Sequence, residues 1–102
     1  MQVMLDFCVV PIGVGISVSA QVAECQRVLA ESGLTYQMHP YGTVVEGEWE
    51  AVFSALRQCH ERVHAMGVAR ISTSLRLGTR TDRVQTMADK LDSVRKLLDG
   101  DS

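Results

Sequence analysis

Residues 34–47 read LTYQMHPYGTVVEG, and their order decides the fold. In the first half Leu34, Tyr36 and Met38 alternate with Thr35, Gln37 and His39, which is the period of a strand. Pro40, Tyr41 and Gly42 are turn chemistry. Thr43, Val44 and Val45 open a second, β-branched run that reaches Glu46 and Gly47. Two such runs joined by so short a turn form a hairpin. What lies on either side of it then fixes the topology.

Both flanks are helical. Upstream, Ser17 or Ser19 can N-cap a helix running to about Ser32. Its stripe is Val18, Val22, Cys25 and Leu29, and Gly33 stops it. Downstream, the pattern from Glu48 to Met66 places Val52, Leu56, Cys59, Val63 and Met66 on one face, with Trp49 and Phe53 beside them and Gly67 after the last turn. Glu48 and Glu50 suit the positive end of that helix.

Strands lie outside the helices. Val3, Leu5, Phe7 and Val9 alternate with Gln2, Met4, Asp6, Cys8 and Val10 until Pro11 and the glycines of PIGVG. The stretch VARISTSLRL, residues 68–77, sets Ile71, Thr73, Leu75 and Leu77 against Arg70, Ser72, Ser74 and Arg76. A last helix follows GTRTD, with a capping-box-like spacing of Asp82 and Gln85. Val84, Met87, Leu91, Val94 and Leu98 recur in steps of three and four, a narrow seam.

The order β-α-β-β-α-β plus a C-terminal helix predicts an α+β ferredoxin-like sandwich: a four-stranded antiparallel sheet with two helices on one face. One domain spans 1–99, and 100–102 form a frayed polar tail. The uncovered face collects Asp6, Arg70, Ser72, Ser74 and Arg76, with Glu46 and Gln37 or His39. Met4, Cys8 and Val10 lie among them, which is too apolar for a fully wet surface and points to self-association. The seam on the last helix points the same way.

At 102 residues with a net charge of −2, the chain gives no reason to expect a nucleic-acid or acidic-membrane partner. No apolar run approaches a membrane span, and the N-terminal stretch, interrupted by Asp6, is not a signal peptide. Cys8, Cys25 and Cys59, odd in number and without a Cys-x-x-Cys pair, fit small core residues in a reducing cytoplasm.

Few motifs carry chemistry. His60, Glu61 and His64 in HERVH match the H-E-x-x-H of zinc hydrolases, in which two histidines bind metal and the glutamate polarises water. The pattern fixes only three residues, however, and His39, the only other histidine, lies on a different element. A pair of histidines at the core boundary is the simpler reading. There is no nucleophile elbow, P-loop or dinucleotide fingerprint. Arg80, Asp82 and Arg83 read as a surface charge cluster. Glu46, at the end of an apolar strand beside Gly47, has two readings: an ion pair with an arginine of the fourth strand, or a carboxylate that waits for a ligand.

The stretches VPIGVGISVSAQVAECQRVLAESGLTYQMHPYGTVVEGEWEAVF, residues 10–53, and ARISTSLRLGTRTD, residues 69–82, together with the last helix, resemble the small thiamine-binding proteins of ferredoxin-like fold. The most specific piece is YGTVVEGEWEAV, close to the family's G-T-x-x-E-G followed by an acidic residue. Pro11, Gly13, Ser17, Ser19, Ser32, Gly33, Leu34, Tyr36, Arg70, Arg80 and Asp82 also match. Where the family often carries an aspartate, two positions before the arginine that follows the fourth strand, this chain has Gly78.

The resemblance implies binding of thiamine or its hydroxymethylpyrimidine precursor, without catalysis or cofactor, as carrier, buffer or sensor. It also implies dimers or tetramers. Under it, Glu46 engages the aminopyrimidine edge and Thr43 adds a hydroxyl contact. Tyr36, Tyr41 and Trp49 are candidates to face a thiazolium. Ser17 and Ser19 suit a hydroxyl or phosphate tail, and Arg80 completes the candidate set. The alternatives are a small zinc-dependent hydrolase built on His60, Glu61 and His64, or a purely structural oligomer.

Overall fold

The periods read from the sequence become seven elements in a computed structural model that describes residues 1–82 and 85–100. They are β1 (Gln2–Ile12), α1 (Ser19–Ser32), β2 (Thr35–His39), β3 (Gly42–Glu48), α2 (Trp49–Ala65), β4 (Arg70–Thr79) and α3 (Met87–Gly100). The sheet order is β2-β3-β1-β4, with every neighbouring pair antiparallel. This is the ferredoxin-like α+β sandwich that the element order predicts.

Strict alternation divides the sheet into two faces. Val3, Leu5 and Phe7 of β1 and Val45 of β3 pack against Cys25, Val28 and Leu29 of α1 and Val52, Ala55, Cys59 and Val63 of α2. Fully burying side chains such as Leu5 and Leu29 contributes about 1.5–3 kcal/mol each. The Cys59 thiol donates to the Cys25 carbonyl at 3.8 Å, and its contact with Cys25 and its burial both push that thiol well above the usual range. On the surface, Arg62 of α2 donates to Glu24 and Glu31, two turns apart on α1.

Helix ends differ from expectation. α1 begins at Ser19 behind Val18, whose φ is −115°, and no side chain caps it, so neither Ser17 nor Ser19 acts as the cap. Its C-terminus does end on Gly33 at φ 75°, a left-handed conformation that glycine adopts without a Cβ penalty. Glu48 precedes α2 but takes the chain's N-terminal ammonium at 2.8 Å, while the Met1 carbonyl accepts the Trp49 N–H at 2.9 Å.

The cap of α3 is Thr86, not Asp82. The Asp89 N–H donates to Thr86 Oγ1 at 3.1 Å and the Thr86 N–H donates to Asp89 Oδ2 at 3.0 Å, a reciprocal capping box. Asp82 and Gln85 instead both bind Arg80. The helix continues through Gly100, the first residue of the expected tail. Arg83, Val84, Asp101 and Ser102 lie outside the described residues. No described residue of α3 is buried: Leu91, Val94 and Leu98 of the seam are 47%, 55% and 65% exposed.

Candidate functional site

Val45 is in the core, so its neighbour Glu46 must lie on the uncovered face. The register sets Glu46 beside Met4 of β1 and Thr35 of β2. On the far side of β1, Met4 pairs with Gly78 and Asp6 with Arg76 of β4. Met4, Asp6, Glu46, Arg76 and Gly78 floor a concavity of about 350 Å³. Its far wall comes from Arg80 and Gln85, after β4, and from Lys90 of α3. A volume near the lower end of roughly 300–1,000 Å³ suits a small ligand.

Among the described residues two carboxylates lie on the concavity, and each has a partner inside the chain. Glu46 Oε2 accepts the Met87 N–H at 2.9 Å, one of the amides that the start of a helix leaves without an intrahelical acceptor. Oε1 has no partner among the described residues. The arginine of β4 offered as its mate is not bonded to it. Asp6 Oδ1 accepts from His39 Nε2 at 2.7 Å. His39 Nδ1 accepts the Tyr41 N–H at 3.2 Å, so the proton of the neutral ring resides on Nε2. His39 reaches Asp6 past Gly42, where a Cβ would lie 2.5 Å from the Phe7 carbonyl oxygen.

The cations divide differently. Arg80 is held by Asp82 at 2.6 and 2.9 Å and by Gln85 at 2.6 Å, and the facing Asp82 carboxylate pushes its guanidinium pKa further up. The side chains of Arg76 and Lys90 have no hydrogen-bond or ion-pair partner among the described residues, although the Lys90 N–H donates to the Thr86 carbonyl within α3. Gly78 leaves space: an added Cβ would meet only the Met4 carbonyl oxygen, at 3.9 Å.

Of the eight candidate ligand residues Glu46, Thr43, Ser17, Ser19, Tyr36, Tyr41, Trp49 and Arg80, only Glu46 and Arg80 line this concavity. Thr43 is 4% exposed on the covered face, and its hydroxyl accepts from Gln26 Nε2 at 2.9 Å. Thr43 and Tyr41 line a second cavity of about 440 Å³ between α1 and the hairpin. Tyr36 and Trp49 pack at the margin of the core, Trp49 with its ring 4.8 Å from that of Phe53. Ser17 and Ser19 line neither cavity and are exposed. Gly47 admits no ligand: the space of its missing Cβ is taken by Leu34, at 2.7 Å.

The histidines of HERVH serve local structure. His60 Nε2 lies 2.6 Å from Thr73 Oγ1, and burial, then His64, holds its pKa below the usual imidazole range. His64 Nδ1–H donates to the Val68 carbonyl at 2.7 Å, and Glu61 accepts from Arg57 at 2.8 Å. Among the described residues no group of three or more His, Cys, Asp or Glu is placed to hold a metal ion.

Arg76 could have been placed on the site from strand alternation. Lys90 could not, because nothing in the sequence says which way the loop after β4 carries α3.

The model of a family described as thiamine-binding protein matches residues 5–95. A UPF0045 protein from Synechocystis is 58% identical over 99 residues, covering 97% of this chain and 82% of the relative. One from the fungus Eremothecium gossypii is 44% identical, covering 96% and 94%. The crystal structure of a hypothetical protein from Methanocaldococcus jannaschii superposes with a TM-score of 0.84 at 28% identity, over 93% of this chain and 97% of that one.

Proposed function

The chain belongs to the thiamine-binding protein family, and on that premise we propose that it binds thiamine or a related aminopyrimidine, without catalysis, as a cytoplasmic carrier, buffer or sensor. The observation that carries this reading is Glu46, on the wall of a ligand-sized concavity with one carboxylate oxygen unengaged. A carboxylate has about four lone-pair sites, and Met87 occupies one. The remainder can accept from the amino group and a protonated ring nitrogen of an aminopyrimidine. Asp6 adds a second negative charge for a thiazolium. Tyr36, Tyr41 and Trp49 stand elsewhere, so the cation is met by carboxylates rather than by an aromatic face.

The reading includes self-association. Its support is the exposed seam Leu91, Val94 and Leu98 on α3, which nothing else in the chain covers among the described residues.

The test is thermal unfolding of wild type and Glu46→Gln with added thiamine, thiamine phosphates or hydroxymethylpyrimidine. At a hundred times its dissociation constant, a ligand stabilises the native state by about 2.7 kcal/mol, several degrees in midpoint. Glutamine keeps an acceptor for the Met87 N–H and removes the charge. Wild type should shift and Glu46→Gln should not. An equal shift in both removes Glu46 from the site, and no shift with any compound sinks the reading.

A further inference from the structure

We propose that Arg76 and Lys90 form an anion subsite, so that the ligand of this concavity is a phosphate ester rather than the free alcohol. The inference rests on the reading of the Glu46 site as an aminopyrimidine site.

Charges around the concavity are paired unevenly. Each carboxylate on it is engaged from within the chain, Glu46 by the Met87 N–H and Asp6 by His39. Asp6 stands directly opposite Arg76 across the β1–β4 ladder and still gives its oxygen to the histidine. Arg80 is spent on Asp82 and Gln85. That leaves Arg76 and Lys90 as the cations of this concavity whose side chains have no partner among the described residues.

Lys90 is also badly placed for its own helix. It is the fourth residue of α3, near the positive end, where a carboxylate is favoured and an ammonium is not. Arg76 comes from the sheet and Lys90 from the helix beyond it, so two separate elements bring positive charge to one concavity. No side chain at Gly78 divides that space.

A ligand that carries only a positive charge would meet Glu46 and Asp6 favourably and these two cations unfavourably. One that joins an aminopyrimidine or thiazolium to a phosphate satisfies both sets. The guanidinium can grip phosphate oxygens in a bidentate fork, and the ammonium acts as a point charge. Ser17 and Ser19, which the family resemblance offered for a phosphate tail, stand outside both cavities.

The experiment is calorimetric titration of thiamine and thiamine monophosphate, and of hydroxymethylpyrimidine and its phosphate, into wild type, Arg76→Gln, Lys90→Gln, Gly78→Asp and Arg70→Gln. Arg70 is the control: it is exposed on the same sheet face but does not line the concavity. Wild type should bind the phosphorylated member of each pair at least about tenfold more tightly. Arg76→Gln and Lys90→Gln should each bring the pair close to parity, with the unphosphorylated affinity held or improved. Gly78→Asp should weaken the phosphorylated member selectively, and Arg70→Gln should leave the ratio unchanged.

Equal affinities in wild type overturn the subsite while the aminopyrimidine reading stands. So does a preference for phosphate that survives in both Arg76→Gln and Lys90→Gln. Absence of binding by all four compounds rejects that reading and the subsite with it.

Discussion

α2 and α3 both present an apolar stripe to one side, and the two stripes meet opposite fates. Val52, Cys59 and Val63 of α2 are wholly buried against the sheet and α1, whereas Leu91, Val94 and Leu98 of α3 stand about half exposed or more. Their ends reverse the pattern. No side chain caps the start of α2, yet packing holds it. Among the described residues α3 buries no side chain, and it is held by Thr86, Asp89 and Glu46 at its first turn. A helical period shows that a face is apolar; it does not say what covers that face, and the caps show how a helix persists without cover.

Placing one substitution on both stripes tests the contrast directly. Val63→Asp puts an unpaired charge in the core and should lower stability by more than about 3 kcal/mol, or prevent folding. Val94→Asp, measured at low protein concentration, should change it by less than about 0.5 kcal/mol while sedimentation shifts towards smaller species. Comparable losses from the two would mean that α3 belongs to the core of a single chain.

Next in size is the cap. Thr86→Ala should cost about 1 kcal/mol, confined to α3. Amide exchange across 87–100 should quicken while the amides of β1 and α2 keep their protection. A matching drop in the global unfolding midpoint would show instead that α3 folds as one unit with the sheet.

The smallest effect concerns how α2 is fastened. Arg27 and then Arg62 hold the Glu24 carboxyl below its usual value near 4.5, and Arg62 does the same for Glu31. Carboxyls depressed in the folded state contribute stability above their unfolded pKa, and that stability is lost as pH falls through the folded value. Wild type should therefore exceed Arg62→Gln by a small margin at neutral pH, and the margin should vanish on acidification below the carboxylate range. Exposure to solvent keeps it small. A margin that grows on acidification would place the effect elsewhere.

The fold was legible because each strand has an apolar face and the hairpin of residues 34–47 separates two helical stripes. Alternation also put Asp6, Glu46 and Arg76 on one face, and the same period places Thr43, three residues before Glu46, on the other. The partners were not legible. Nothing local to Glu46 announces an amide 41 residues later, and the His39–Asp6 bond depends on a register that brings β1 and β2 to either side of β3. The cap of α3 was missed for a different reason. TMAD, residues 86–89, spells a capping box, but the apolar seam of the sequence extends back to Val84 and sets the expected start upstream. HERVH carries little weight because a motif of three residues is cheap to match by chance, and the contacts of His60 and His64 fit the core-boundary reading of the pair.

One of the two inner strands of the sheet is also the first of the four to be made. β1 has its neighbours in β3 and β4, and its pairing with β4 runs from Val3↔Thr79 to Ile12↔Arg70. The hairpin of β2 and β3 closes within a few residues, whereas β1 must keep one edge unpaired until the chain has extended to Thr79. Loop-closure entropy makes that last ladder the slow step in folding, and until it forms, a strand rich in valine offers its hydrogen-bonding edge to any other nascent chain nearby.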